Sequence, residues 1–194
     1  YFTATQIWEF GKSVVNARKE IEAFEISFNT LLGSSDKGKA FFAEVKEFAV
    51  KTPLQLNDIA GAAQTLLGFG ISAEKIMPIL RQLGDVSMGN AERFKSLSLA
   101  FAQATSAGKL QGQDLLQMIN AGFNPLNEIA KKTGKSISQL KDDMSKGKIS
   151  AQDLADALAS ATAQGGQFYG MLEKQSKGIE GALSNLEGAW NDAL

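Results

Sequence analysis

Glycine cuts this chain into short lengths of helical pattern, and that punctuation limits what it can fold into. Its 19 glycines fall mostly between blocks whose apolar residues recur every three or four positions, the period of an amphipathic helix. Proline occurs only at Pro53, Pro78 and Pro125. Alternating β-branched runs of the kind that form strands are absent. Drawn out as one helix, the 194 residues would span about 290 Å, and the glycines forbid it. The expected fold class is all-α: a compact multi-helix domain headed by the one stretch that escapes the punctuation.

In that stretch apolar residues fall at Ile7, Phe10, Val14, Ala17, Ile21, Phe24, Phe28 and Leu31. The steps alternate between three and four, which makes a heptad seam about 37 Å long. The flanking Gly11, Ser13, Arg18, Glu20, Glu25 and Ser27 supply few charge pairs that would specify a partner. Two readings stand. The helix packs on its own domain, or Ile7, Phe10, Val14, Ile21, Phe24, Phe28 and Leu31 form a coiled-coil seam that meets other copies of the same chain. Gly33-Ser34-Ser35-Asp36 ends this helix and offers a cap for the next.

Shorter helices are expected at 39–51, closed by Thr52-Pro53, at 56–69, at 72–83 with Ser72 as cap and Pro78 as a kink, and at 91–107. Asn124-Pro125 reads as an N-cap followed by a first-turn proline. Ser136 with Gln139, and Ser150 with Asp153, fit capping boxes. The stretch 174–192 places Ile179, Leu183, Leu186 and Trp190 on one face. Its Gly178, Gly181 and Gly188 each weaken it by about 1 kcal/mol relative to Ala, so it needs a partner. The organisation expected is a long helix over 1–33, a compact helical domain over 34–173, and a C-terminal amphipathic helix over 174–194.

An internal echo runs through the middle. Gly108-Lys109-Leu110-Gln111-Gly112-Gln113-Asp114-Leu115 matches Gly147-Lys148-Ile149-Ser150-Ala151-Gln152-Asp153-Leu154 at an offset of 39, and Gly70-Ile71-Ser72-Ala73 is similar in pattern. A period near 40 suits a helical-pair repeat. Limited capping chemistry, which makes helix starts beside a glycine look alike, explains it equally.

Composition removes much of enzymology. The chain has no Cys and no His, which excludes thiol nucleophiles, disulfides, Cys/His zinc sites, Ser-His-Asp triads and histidine switches. Gly68-Phe69-Gly70-Ile71-Ser72-Ala73 spells part of a dinucleotide fingerprint, but a helical pattern precedes it where a strand is required. Thr133-Gly134-Lys135-Ser136 lacks the first glycine of a phosphate loop, whose place is taken by Ile129. A calcium-loop pattern at 142–153 puts Met144 and Lys146 where oxygen ligands belong. No catalytic, cofactor-binding or metal-binding residue is assigned, no cofactor is expected, and the chain is read as not an enzyme.

The formal net charge of −1 argues against nucleic acid. No apolar run approaches the ~20 residues of a membrane-spanning helix. Residues 131–148 hold six lysines against two aspartates, read either as a solvated face or as a polarised docking surface. The start, Tyr1-Phe2-Thr3-Ala4, has no Met and no basic-then-apolar leader, and the expected reading is a segment of a longer chain.

One ordered set of short strings is more specific. It runs Lys51-Thr52-Pro53-Leu54-Gln55-Leu56, Leu66-Leu67-Gly68-Phe69-Gly70-Ile71, Leu83-Gly84-Asp85-Val86, the two echo blocks, Gly165-Gly166, Phe168-Tyr169-Gly170-Met171 and Gly181-Ala182-Leu183-Ser184-Asn185-Leu186. Over about residues 30 to 192 the chain resembles the tape measure domain of tailed-phage and prophage tail tape measure proteins. Gln55 stands where that pattern would have a capping Ser, Thr or Asp. The resemblance implies a structural, non-catalytic part in tail assembly and tail-length determination. It implies tail tube subunits and tail assembly chaperones as partners. It also implies a place in the lumen of the virion tail, after assembly in the host bacterial cytoplasm. Two other readings compete: a solenoid-like helical adaptor that binds a protein in a groove, and a wall-cleaving hydrolase.

Overall fold

A computed structural model of the chain describes residues 3–180; the side chains of Ile7 and Phe10 fall outside that description. The helices are α1 (Ala4–Leu31), α2 (Ser35–Val50), α3 (Leu56–Gly68), α4 (Ala73–Ser87), α5 (Ala91–Ala107), α6 (Gly112–Asn120), α7 (Pro125–Thr133), α8 (Ile137–Ser145) and α9 (Ala151–Thr162). Residues 171–180 are also helical. Among the described residues no strand forms, so the all-α expectation holds. The chain divides into two units, Tyr1–Glu44 and Val45–Leu194, with the division inside α2. The expected apolar positions Leu183, Leu186 and Trp190, with Gly181 and Gly188, lie outside the described residues.

The helix boundaries follow local chemistry closely. The Asn124 side chain accepts the Leu126 amide at 3.1 Å, and Pro125 opens α7. Ser136 and Gln139 cap α8 reciprocally, and Ser150 and Asp153 do the same for α9. Each box satisfies amides that a helix start leaves open. Ser72 does stand at the N-cap of α4, but its side chain makes no capping hydrogen bond there. Gln55 makes none at α3 either, yet α3 begins beside it. Burial of Ile59, Ala60, Ala63 and Leu66 along one face holds that helix without a side-chain cap. Pro78 sits inside α4 without ending it. The glycines read as punctuation behave so: Gly108, Gly134 and Gly147 adopt φ near +70° at helix ends, a conformation that costs other residues about 1–2 kcal/mol.

In the second unit α5 is the centre. It packs on α3, α4, α6 and α9, while α9 also meets α4 and α7. Ile59, Leu66, Ile76, Leu80, Phe94, Leu97 and Leu126 are fully buried between these helices.

The sequence echo becomes a physical pair here. The loop after α5 and the loop after α8 run antiparallel, bridged at Lys109 and Ser150. The Leu110 amide donates to the Ile149 carbonyl at 2.9 Å, and the Ala151 amide to the Gly108 carbonyl at 3.0 Å. Leu110 and Ile149 are both buried in the core. Each loop then launches a helix whose third residue is an aspartate folding back on the chain. Asp114 accepts the Gln111 amide at 3.2 Å and Asp153 the Ser150 amide at 2.8 Å. The α5–α6 and α8–α9 connections thus join loop to loop in antiparallel register. The Gly70 block stands apart, because its Ile71 follows the glycine directly and precedes Ser72, one residue earlier than in the other two.

Leu110→Ala should cost about 2–4 kcal/mol, because it opens a void at that junction. Urea unfolding followed by far-UV circular dichroism measures it. The same change at Leu116, which is 60% exposed, should shift the midpoint by less than about 0.5 kcal/mol.

Candidate assembly interface

The first unit presents its helix almost bare. α1 starts on a capping box in which the Thr3 hydroxyl accepts the Gln6 amide at 3.3 Å and the Gln6 side chain accepts the Thr3 amide at 2.9 Å. Every described side chain from Thr3 to Ala23 is exposed. That is a rod of about 30 Å with no burial along it. Burial begins at Phe24 and is complete at Phe28. The chain then turns at Gly33, φ +67°, and α2 brings Phe41 and Phe42 back beside α1. The Phe28 ring lies 5.1 Å from Phe41 in an edge-on arrangement and 5.6 Å from Phe42, and Phe24 lies 6.3 Å from Phe42. Contacts of this kind add about 0.5–1.5 kcal/mol beyond burial. Gly38 makes the turn possible. A Cβ there would overlap the Asn29 Oδ1 and come within 2.6 Å of the Asn29 amide nitrogen.

The structure therefore divides the heptad positions. Phe24 and Phe28 are occupied within the chain, in the aromatic cluster. Val14, Ile21 and Leu31 are exposed, at 52%, 38% and 44%. Ile7 and Phe10 lie on α1, their side chains outside the description. A second apolar strip had no counterpart in the sequence reading. Trp8, Val15 and Ile26 are 65%, 52% and 65% exposed, and at about 100° per residue they line up on roughly the opposite face. Lys12 Nζ sits 5.3 Å from the centre of the Trp8 ring. Their spacing of seven and then eleven was the available signal, but it breaks the three-four rhythm used to find the seam.

The lysine-rich stretch is not a free basic patch. Lys131 pairs with Glu128 at 2.6 Å, Lys132 with Asp156 at 2.7 Å, Lys135 with Asp143 at 2.6 Å and Lys146 with Asp142 at 2.6 Å. Hydrogen bonding to Lys135 holds the Asp143 carboxyl below its ordinary range, and Lys132 does the same for Asp156. Glu128 is the buried member; its second oxygen accepts the Ser160 hydroxyl at 3.0 Å and ties α7 to α9. Two carboxyls move the other way. Burial pushes Asp85 and Asp114 above the usual range, against the backbone amides each accepts. Each closes a helix start, which is a structural use. Among the described residues no cluster of three or more acidic side chains could hold a metal ion, and no helix is long and apolar enough to cross a membrane.

The described structure is thus all-helical, with Trp8, Val14, Val15, Ile21, Ile26 and Leu31 of α1 among its exposed apolar residues. The family model described as tape measure protein matches residues 12–194, and the chain belongs to that family, which is structural in character. A Mu-like prophage protein of Haemophilus influenzae, FluMu protein gp42, is 24% identical over 185 residues, covering 93% of this chain. A probable tape measure protein of Salmonella phage Felix O1 is 20% identical over 200 residues, covering all of it. The chain spans 28% and 27% of the length of these two relatives. No solved structure matches.

Gly38→Ala should cost about 1–3 kcal/mol, since the new methyl has only Asn29 to displace. Gly11→Ala, where nothing lies within 4 Å, should instead gain up to about 1 kcal/mol. Thermal unfolding of the two variants, followed at 222 nm, gives both signs.

Proposed function

We propose that this chain is a structural, non-catalytic segment of a phage or prophage tail tape measure protein, taking part in tail assembly and in setting tail length. The observation that carries this reading is the family match across residues 12–194. The relative named as a probable tape measure protein, alignable over the whole chain, supports it. A helical ruler works because it rises a fixed distance per residue. The short helices of the second unit cannot measure in that way, so the measuring falls to other parts of the parent protein. The compact domain over 34–173 heads or interrupts the rod.

The partners proposed are other copies of the chain, tail tube subunits and tail assembly chaperones. The site is the lumen of the virion tail, reached from the host bacterial cytoplasm. Self-association uses the exposed seam residues Val14, Ile21 and Leu31 together with the seam positions Ile7 and Phe10. Most helical stability in proteins comes from packing an amphipathic face, and the exposed part of α1 would gain it from a second helix laid along that face. Phe24 and Phe28 serve the aromatic cluster instead, so substitutions there would report on the fold as well as on association.

Deleting the parent gene should leave virions without tails, or with tails of uncontrolled length, in electron micrographs. Tails of normal length would sink the assignment. Val14→Asp with Ile21→Asp should abolish concentration-dependent sedimentation of this chain while leaving its unfolding midpoint within about 0.5 kcal/mol. Sedimentation unchanged by that pair would mean the seam is not where copies meet.

A further inference from the structure

The helix at 171–180 is joined to the second unit in an unusual way. Of its ten residues only Leu172 is buried; 173–175 and 177–180 are exposed. Leu172 sits on Gly84 of α4, where a Cβ would overlap the leucine Cδ1 and come within 3.0 Å of its Cγ. The Leu172 amide donates to Asp85 Oδ1 at 2.8 Å across 87 residues of sequence. Just before the helix, Gly170 takes φ +61°, which lets the chain reverse sharply there. Beside the contact lies a cavity of about 320 Å³, lined by Phe48, Thr52, Arg81, Asp85, Leu172 and Glu173. Farther along, Glu173 pairs with Lys177 on the same helix at 2.6 Å.

We infer that this helix is a hinged lever: its first turn is held by a catch made of Gly84 and Asp85, and it pivots at Gly170. Two groups gain water when the catch opens. The Thr52 hydroxyl lines the cavity with no hydrogen-bond partner in the docked state, and a buried polar group left unpaired disfavours that state. Asp85 is half-buried, and burial, with a smaller contribution from the Glu173 charge, pushes its carboxyl above the ordinary range against the amides it accepts. Opposing them are the buried Leu172 side chain, the Asp85 carboxylate bonded to the Leu172 and Met171 amides, and Gln175 set beside Gly89, a small set of contacts for a ten-residue helix. This joint lets the helix at 171–180 change direction while α4, α5 and α9 stay packed. The inference does not rest on the tail assignment.

Native-state hydrogen exchange on the 194-residue chain tests it. Amides at 174–180 should exchange at least 100-fold faster than those in the middle of α5. Asp85→Ala and Gly84→Ala should each speed exchange at 172–176 tenfold or more and leave α5 and α9 unchanged. Asp85→Asn, which keeps an acceptor oxygen, should stay within threefold of the parent. Protection at 174–180 equal to that of α5, no response at 172–176, or an equal loss through α5 and α9 would each overturn the lever and make the helix an ordinary part of the core.

Discussion

The contact between Leu110 and Ile149 organises the second unit. These side chains are buried where two loops cross, and the paired backbone groups of the loops satisfy each other. Burying two such side chains is worth about 1.5–3 kcal/mol each, against about 0.5–1.5 kcal/mol for each hydrogen bond. The apolar contact therefore supplies most of the attraction, and the backbone bonds set its geometry. The paired loops fix where α6 and α9 begin, while α5 packs on α3, α4, α6 and α9.

Electrostatics is secondary to that packing. The pairs made by Lys132, Lys135 and Lys146 lie at the surface, where solvent screening leaves such bridges little net stabilisation. They matter more for what they cancel. A run of lysines that looks basic in one dimension is largely neutralised once α7, α8 and α9 fold beside one another. Glu128 differs in being buried and doubly bonded, so it is the charged residue whose loss would be felt in the core.

What was legible in the sequence was local. The starts of α7, α8 and α9 could be read because Asn124, Ser136 and Ser150 cap within three residues of themselves. The span of α5 was legible from the apolar spacing of Phe94, Leu97, Phe101 and Ala104, and the structure adds an Asn90 cap at its start and Gly108 at its end. The echo was visible, but not its meaning, since nothing in a string says that two loops touch. The seam on α1 was found and then divided, because heptad spacing cannot say whether the partner lies in the same chain. Phe24 and Phe28 have Phe42 in common, while Val14 and Ile21 have no neighbour there. The Asn29–Gly38 approach and the Asp85–Leu172 bond come from tertiary placement, and a lone glycine or aspartate in the sequence gives no hint of either.

The bare stretch of α1 also has a consequence for the lifetime of the free chain. Lys12, Arg18 and Lys19 stand in the part of α1 whose described side chains are all exposed, and local opening there requires no unfolding of the rest. Proteases cut where backbone opens most often. An uncovered copy would lose this end first, whereas a copy whose α1 is wrapped by a companion would keep it. Proteolysis of the free chain should therefore begin within this stretch, ahead of the packed helices of the second unit.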